Sequence, residues 1–169
     1  PRSATWVSRV DNFLLGGDEQ QMDKDYQQTQ ALVAIQNGGI YGVGPGKSTQ
    51  RSILPYSESD FIYAIVLEEY GLLGGFSAIM FYLILLFRAG RISLKSESIF
   101  GSLVAIGLMF SLVFQAFINM LVSVEVIPVT GQTLPLISMG GTSIVFSCIA
   151  IGIVLSISRN SLEGEYEKA

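Results

Sequence analysis

The sequence predicts an all-α polytopic membrane protein, in which three transmembrane helices follow a large loop outside the membrane. Half of the 169 residues are hydrophobic and only 14% are charged, well below the usual quarter. The charges crowd into about the first 60 residues and the last few positions, which leaves long uncharged stretches between them. This distribution indicates that lipid, rather than water, surrounds much of the chain.

The first segment, over 1–57, is polar and rich in Gly, Gln and Asp. It contains one apolar helical run near 26–37, which Asn37 and the following glycines should end. The stretch beyond this run has too many glycines to form a regular element. We therefore predict a structured loop with one short helix.

The next segment, over 58–158, contains three apolar stretches. Each is longer than the roughly 20 helical residues that cross a hydrocarbon core. They lie at about 61–87, 99–124 and 136–157. A polar tail over 159–169 completes the predicted organisation.

The basic residues of the short connections predict the orientation. Three lie between the first two spans, two lie in the tail, and none lies between the last two spans. Because Arg and Lys mark the cytoplasmic side of short loops, we expect 88–98 and the tail in the cytoplasm and 1–57 outside.

The composition excludes several classes of function. The sequence has no histidine, which excludes Ser-His-Asp triads, His-based zinc sites and imidazole proton shuttles. Any acid-base catalysis must therefore use carboxylates. Its single cysteine, Cys148, cannot form an internal disulfide, and a net charge of −4 indicates no nucleic-acid partner. Because the chain starts at Pro1 without a signal peptide, we expect a fragment of a longer protein.

The stretch GVGPGKS looks like a phosphate-binding loop but has the wrong spacing. A Walker A motif would need a glycine where Tyr41 stands. The predicted orientation also puts this stretch outside the cell, where ATP is not expected. Both observations disfavour nucleotide binding.

Three carboxylates stand at or inside the first span. Asp60 lies at the outer end of the first span. Loss of water there can raise the pKa of its carboxyl group toward the range of a general base. A solvated acid at the start of a helix is the simpler interpretation. Glu68 and Glu69 lie about two turns deeper, where ionised groups must face protein or water. Glu68 lies about 80° around the helix from Asp60 and Glu69 about 180°, so Glu68 is the better candidate to share a cavity with Asp60. The alternative is that one Glu pairs with a buried arginine elsewhere.

The second and third spans carry polar and small residues that we expect to be structural. Four polar residues in the second span are each four positions apart: Ser111, Gln115, Asn119 and Ser123. They lie on one helical face, and hydrogen bonds between helices are favoured over contact with a substrate. The third span opens on small residues that include Gly140 and Gly141, which predict a face where helices approach closely.

Several stretches of the chain together resemble one family. They are YQQTQALVAI (26–35), GGIYGVGPGKSTQRSILP (38–55), SDFIYAIVLEEYGLLGG (59–75), QAFIN (115–119) and PVTGQTLPLISMGGTSI (128–144). In this order they resemble the FtsW/RodA/SpoVE (SEDS) family of peptidoglycan glycosyltransferases, and GVGPGKSTQR favours its cell-division branch over its elongation branch. The resemblance implies the C-terminal part of a ten-helix fold: the large extracytoplasmic loop after helix seven, then helices eight to ten.

The resemblance also implies the reaction. Family members polymerise lipid II, a disaccharide-pentapeptide on undecaprenyl pyrophosphate, at the outer face of the bacterial cytoplasmic membrane. The family motif LPExHTDF appears here as LPYSESDF, so the catalytic aspartate maps to Asp60, the expected general base of an inverting displacement. Tyr56 stands where the family usually has Glu, and Glu58 where it usually has His. The implied partners are a class B penicillin-binding protein transpeptidase and other division proteins.

The resemblance implies a lipid-binding groove built largely from helices outside this chain, and the candidate substrate contacts within the chain lie mainly in the loop. The candidates are Lys47, Ser48, Gln50 and Arg51, together with Glu68 of the first span. The departing pyrophosphate needs positive charge, from Lys47 or Arg51, from a divalent cation such as Mg²⁺ or Mn²⁺, or from basic residues outside this chain. Solvated loop charges are the alternative for both residues.

Two other functions stay open at this stage. A lipid II flippase would use intramembrane Glu68, Gln115 and Asn119 to line a passage for the polar headgroup. A scaffold without catalytic activity would use the helices only to recruit the division transpeptidase.

Overall fold

The computed structural model describes residues 7, 22–48, 61–96 and 98–167. The helices with described bounds are α1 (Met22–Gly38), α2 (Ile62–Lys95), α3 (Ile99–Ser123) and α4 (Gly141–Glu167). Three of these, namely α2, α3 and α4 over Gly141–Ser161, are long and apolar enough to cross a membrane. The prediction of an α-helical membrane protein with three spanning helices is confirmed.

Several helix boundaries differ from the predicted ones. α1 already begins at Met22, and α4 continues through the predicted polar tail to Glu167. α2 continues beyond the apolar stretch to Lys95, since the basic connection is itself helical. α4 begins at Gly141, although the apolar run starts near Leu136. Leu136 has a φ of 68°, which a helix cannot contain, and the Ser138 amide closes a turn onto the Leu134 carbonyl at 2.9 Å. The apolar side chains Leu136, Ile137 and Met139 therefore extend the apolar run in the sequence without belonging to the helix.

The chain divides into two compact units, one formed by 1–75 with 118–132 and the other by 76–117 with 133–169. In the first unit, small side chains of α1 and α2 pack around larger ones. The buried residues of this core are Ala31, Ala34, Phe61, Ala64 and Val122. Alanines allow the helix backbones to approach closely. This matters in a membrane, because the hydrophobic effect does not drive helices together in lipid and van der Waals packing must hold them.

The second unit has its own core, built in the same way. Its buried residues are Ala89, Ala105, Met109 and Val154. The fully buried Tyr82 donates its hydroxyl to the Pro135 carbonyl, which attaches the turn before α4 to α2. At the start of α3, Ser98 accepts the Gly101 amide at 2.9 Å and so caps the helix.

The outer surfaces of the spanning helices are apolar. Only 22%, 33% and 11% of the most apolar windows of α2, α3 and α4 are buried within the chain. Large exposed side chains on these helices include Phe76, Phe87, Phe110 and Phe146. Such faces are typical of helices surrounded by lipid or by further membrane helices.

Candidate active site

α2 is interrupted at Gly71, and the loop after α1 enters the interruption. Gly71 has φ 66° and ψ −164°, a conformation outside the helical region. In an unbroken helix the Leu72 and Leu73 amides would donate to the Glu68 and Glu69 carbonyls. Here Leu72 and Leu73 donate instead to the carbonyls of Gly39 and Ile40, at 3.0 and 3.4 Å.

The loop also satisfies the two carbonyls that the interruption releases. The Val43 amide donates to the Glu68 carbonyl and the Gly44 amide to the Glu69 carbonyl, both at 3.0 Å. Exchange of four backbone hydrogen bonds thus joins the loop to the helix. Such satisfaction is essential at membrane depth, since water is absent and an unpaired backbone group costs several kcal/mol.

Glycine is required where the two backbones touch. A Cβ on Gly42 would lie 2.2 Å from the Glu69 carbonyl oxygen, and one on Gly71 would lie 2.4 Å from the Ile40 carbonyl oxygen. Both glycines also have positive φ, of 78° and 66°. Any other residue would therefore push the loop out of the interruption.

Lys47 lies at the end of a tight turn just beyond the inserted stretch. The Lys47 amide donates to the Gly44 carbonyl at 3.2 Å, with Pro45 and Gly46 as the central residues. Proline followed by a glycine at φ 74° is typical of a type II turn. The turn leaves the Lys47 side chain exposed.

Glu68 and Ser48 are brought together, whereas Glu69 has a different environment. Ser48 Oγ donates a hydrogen bond to Glu68 Oε2, and the Glu68 side chain is only 1% exposed. The Glu69 side chain is partly exposed. The structure thus gives the two carboxylates different environments and identifies Ser48 as a partner of Glu68. The cavity that Glu68 is expected to share with Asp60 stays a prediction, because Asp60 lies outside the described residues.

Several predicted site residues lie outside the described part of the chain. They are Gln50, Arg51, Tyr56, Glu58 and Asp60. The residue after Asp60 is described: Phe61 is 2% exposed and its carbonyl accepts the Ala64 and Ile65 amides at 3.0 and 3.3 Å. α2 therefore begins two residues after the candidate base, at Ile62.

The polar face of α3 bonds to the segment that connects α3 to α4. Asn119 Nδ2 donates to the Gln132 carbonyl at 2.6 Å, and Gln115 Nε2 donates to the Thr133 carbonyl at 3.1 Å. Ser123 donates to the Asn119 carbonyl at 3.0 Å within the helix, and Ser111 is exposed. Gln115 and Asn119 thus donate to backbone groups of a loop, whereas hydrogen bonds to another helix were expected.

The two small residues before α4 differ from each other. A Cβ on Gly140 would meet Thr133 and Ser143 atoms at 3.3 Å, so Gly140 allows a close approach. A Cβ on Gly141 would meet no described atom within 4 Å. The close approach at Gly140 is thus to the α3–α4 connection and to the first turn of α4, and close packing of helices at this pair stays a prediction.

Within the described ranges, no group of three or more His, Cys, Asp or Glu side chains could hold a metal ion. Glu68, the most buried carboxylate among them, bonds to Ser48. These residues therefore do not by themselves form a site for the divalent cation that the resemblance allows.

The interruption at Gly71 is the feature that sequence reasoning missed. A signal for it exists, because EEYGLLGG places glycines in an apolar helix just after two carboxylates. Glycine-interrupted membrane segments commonly mark helices whose backbone bonds to another segment. The identity of that segment, 39–44, is visible only in three dimensions.

Comparison with known proteins identifies the family. The family model for FtsW/RodA/SpoVE cell cycle proteins matches residues 2–163. The chain is 40% identical over 156 residues to stage V sporulation protein E of Bacillus subtilis. The matched region covers 92% of this chain and 42% of that protein. The chain is 44% identical over 139 residues to the probable peptidoglycan glycosyltransferase FtsW of Nitrosomonas europaea, covering 80% of this chain and 36% of that one.

A solved structure agrees with these matches. It concerns the structural coordination of polymerization and crosslinking by a peptidoglycan synthase complex, and one of its chains matches with a TM-score of 0.69 and 27% identity. The match covers 91% of this chain and 41% of that one, so the chain spans about two fifths of the length of its relatives. The order of the motifs, the three spanning helices and these matches agree, and the chain belongs to the FtsW/RodA/SpoVE family of cell cycle proteins.

Proposed function

We propose that the complete protein polymerises lipid II into glycan strands during bacterial cell division. Relatives in several bacteria are named probable peptidoglycan glycosyltransferase FtsW, which supports this reaction. The carrying observation is that the loop with Lys47 is hydrogen-bonded to the backbone of α2, the helix that starts two residues after Asp60. We place the reaction at the outer face of the cytoplasmic membrane, with a class B penicillin-binding protein transpeptidase as partner.

In the proposed chemistry, Asp60 is the general base. It takes the proton from a sugar hydroxyl of the acceptor as that oxygen attacks the anomeric carbon of the donor. A new carbon–oxygen bond forms, the bond to pyrophosphate breaks, and the configuration at the anomeric carbon inverts. Pyrophosphate departs with the bonding electrons, so it needs nearby positive charge and no proton donor.

Lys47 and Arg51 are the proposed source of that charge. Lys47 supports this role because the turn over 44–47 leaves its side chain exposed while its backbone is fixed. An ammonium group held in this way needs little reorganisation when charge develops on the leaving group. Arg51 follows in the same segment of the sequence, between the turn and Asp60.

The test of the base is the Asp60→Asn variant of the complete protein, with its partner, in vesicles containing lipid II. Loss of the proton acceptor should lower the rate of glycan polymerisation by about 100-fold or more, while expression and assembly with the partner stay normal. Glu58→Gln is the matched control, since it changes a carboxylate to an amide two positions earlier and should keep activity near that of the unmodified protein.

The same experiment separates the other candidate functions. Normal glycan strands from Asp60→Asn would contradict the proposed base and favour a scaffold. Transbilayer movement of lipid II without polymerisation would favour a flippase. Against the flippase, Glu68 and Asn119 are each 1% exposed and hydrogen-bonded within the chain, so neither side chain lines a passage through the described residues.

A further inference from the structure

Glu68 is a buried carboxylate that the proposed chemistry does not use. Its side chain is 1% exposed, so its contacts lie within the protein rather than with a lipid-linked sugar. Its Oε2 accepts the hydroxyl of Ser48. A buried carboxylate oxygen is costly unless it is hydrogen-bonded, so this contact contributes more than a solvated pair would.

The Ser48 contact gives the loop a second point of attachment to α2. Before the turn, the Val43 and Gly44 amides bond to carbonyls of the helix. After the turn, the Ser48 hydroxyl bonds to the Glu68 side chain. Lys47 lies between the two attachments, so the backbone on both sides of its exposed side chain is fixed to one turn of α2.

We propose that Glu68 is a positioning residue, which holds Ser48 and thereby fixes Lys47 for the departing pyrophosphate. The inference rests on the proposed function, because only in that reaction does Lys47 stabilise a departing pyrophosphate. Without the Glu68 contact, the attachment after the turn would be weaker, and the ammonium group would sample a larger volume. Electrostatic stabilisation is strongest when the charge is already in place, so loss of the contact slows the chemical step.

The attachment is tested by hydrogen exchange in the complete protein, read on peptides that cover 40–48. Glu68→Ala and Ser48→Ala should each speed exchange there by about tenfold, because each removes a buried hydrogen bond. The double variant should speed exchange by less than the product of the two single effects, since both substitutions remove the same contact. Unchanged exchange in both single variants, or multiplied effects in the double variant, would overturn the proposal.

Controls separate this effect from general unfolding. Glu68→Gln keeps an oxygen that accepts the Ser48 hydroxyl, so it should restore slow exchange. Glu69→Gln makes the same change at the partly exposed neighbour and should leave exchange unaltered. Peptides over 103–117 of α3 should exchange at the normal rate in every variant. If Glu68→Ala does not fold, Ser48→Ala gives the same test, because it removes only a hydroxyl.

The purpose of the attachment is tested by polymerisation kinetics. Glu68→Ala should lower kcat for lipid II by about tenfold with little change in KM, and Glu68→Gln should recover most of the loss. Adding Lys47→Ala to Glu68→Ala should cost little more than Glu68→Ala alone. Faster exchange with normal kcat, or independent effects of the two substitutions, would overturn the positioning role. Failure of the proposed function would instead appear as normal polymerisation by the Asp60→Asn variant. That result would not alter the hydrogen-exchange results for Glu68 and Ser48.

Discussion

At the scale of single residues, the glycines of the loop and helix matter as much as the charged candidates. Gly42 and Gly71 lie where one backbone passes within hydrogen-bond distance of another, and both have positive φ. With φ 66° and ψ −164°, Gly71 occupies a region that is essentially restricted to glycine. The contacts of Glu68 depend on these residues, because they allow the loop to approach its helix.

Gly71→Ala should therefore be strongly destabilising, whereas Gly107→Ala should not. The added methyl at 71 would lie 2.4 Å from the Ile40 carbonyl oxygen in a strained conformation, at a cost of about 2 kcal/mol or more. Gly107 is an exposed residue of α3 whose Cβ would meet no described atom within 4 Å, so alanine there should be neutral or stabilising by up to about 1 kcal/mol.

The measurement is the midpoint of thermal unfolding of the complete protein in detergent. We expect a clear decrease for Gly71→Ala and none for Gly107→Ala. Equal midpoints for the two variants would show that the interruption at Gly71 does not need glycine.

At the scale of elements, the loops of this chain act as structural partners of the helices. The stretch 39–44 replaces two backbone hydrogen bonds of α2, and the connection after α3 accepts hydrogen bonds from Asn119 and Gln115. Irregular backbone at membrane depth is tolerated when protein groups satisfy it. The polar residues in the helices are thus explained largely by the loops beside them.

Asn119→Ala should destabilise the protein more than Ser111→Ala, although both residues belong to the same predicted stripe. Asn119 is 1% exposed and donates to the Gln132 carbonyl at 2.6 Å, so its removal leaves a carbonyl without that donor, at a cost of about 1–2 kcal/mol. Ser111 is exposed, and its removal should change stability by less than about 0.5 kcal/mol. Unfolding of both variants in the same detergent measures the difference; equal stability would contradict the role of Asn119 as a loop contact.

These elements also show what could be predicted. The spans follow from apolar length, whereas the cavity that Glu68 is expected to share with Asp60 stays a prediction. The start of α4 could not be predicted, because hydropathy treats the apolar turn around Leu136 as part of a span. The glycines of EEYGLLGG signal an interruption near Gly71, but the inserted segment could not be predicted, since the hydrogen-bond partners are distant in the sequence and carry no side-chain signal.

At the scale of the whole molecule, much of the apolar surface of the membrane helices is not buried within this chain. The chain spans 42% of the Bacillus subtilis relative, and the family resemblance leads us to expect further helices against part of these faces. Two connections predict the orientation. The basic one ends α2, and the one without basic residues joins α3 to α4.

Cysteine labelling in intact cells tests this orientation. The positive-inside rule predicts that Val126, 57% exposed in the α3–α4 connection, faces outward and that Leu94, 88% exposed near the end of α2, faces the cytoplasm. In a cysteine-free version of the complete protein, with Cys148→Ser in this chain, a membrane-impermeant maleimide should label Val126→Cys on spheroplasts. Leu94→Cys should react only after the membrane is opened. The reverse pattern would put the candidate loop and Asp60 on the cytoplasmic side. Polymerisation of lipid II at the outer face could then not use them.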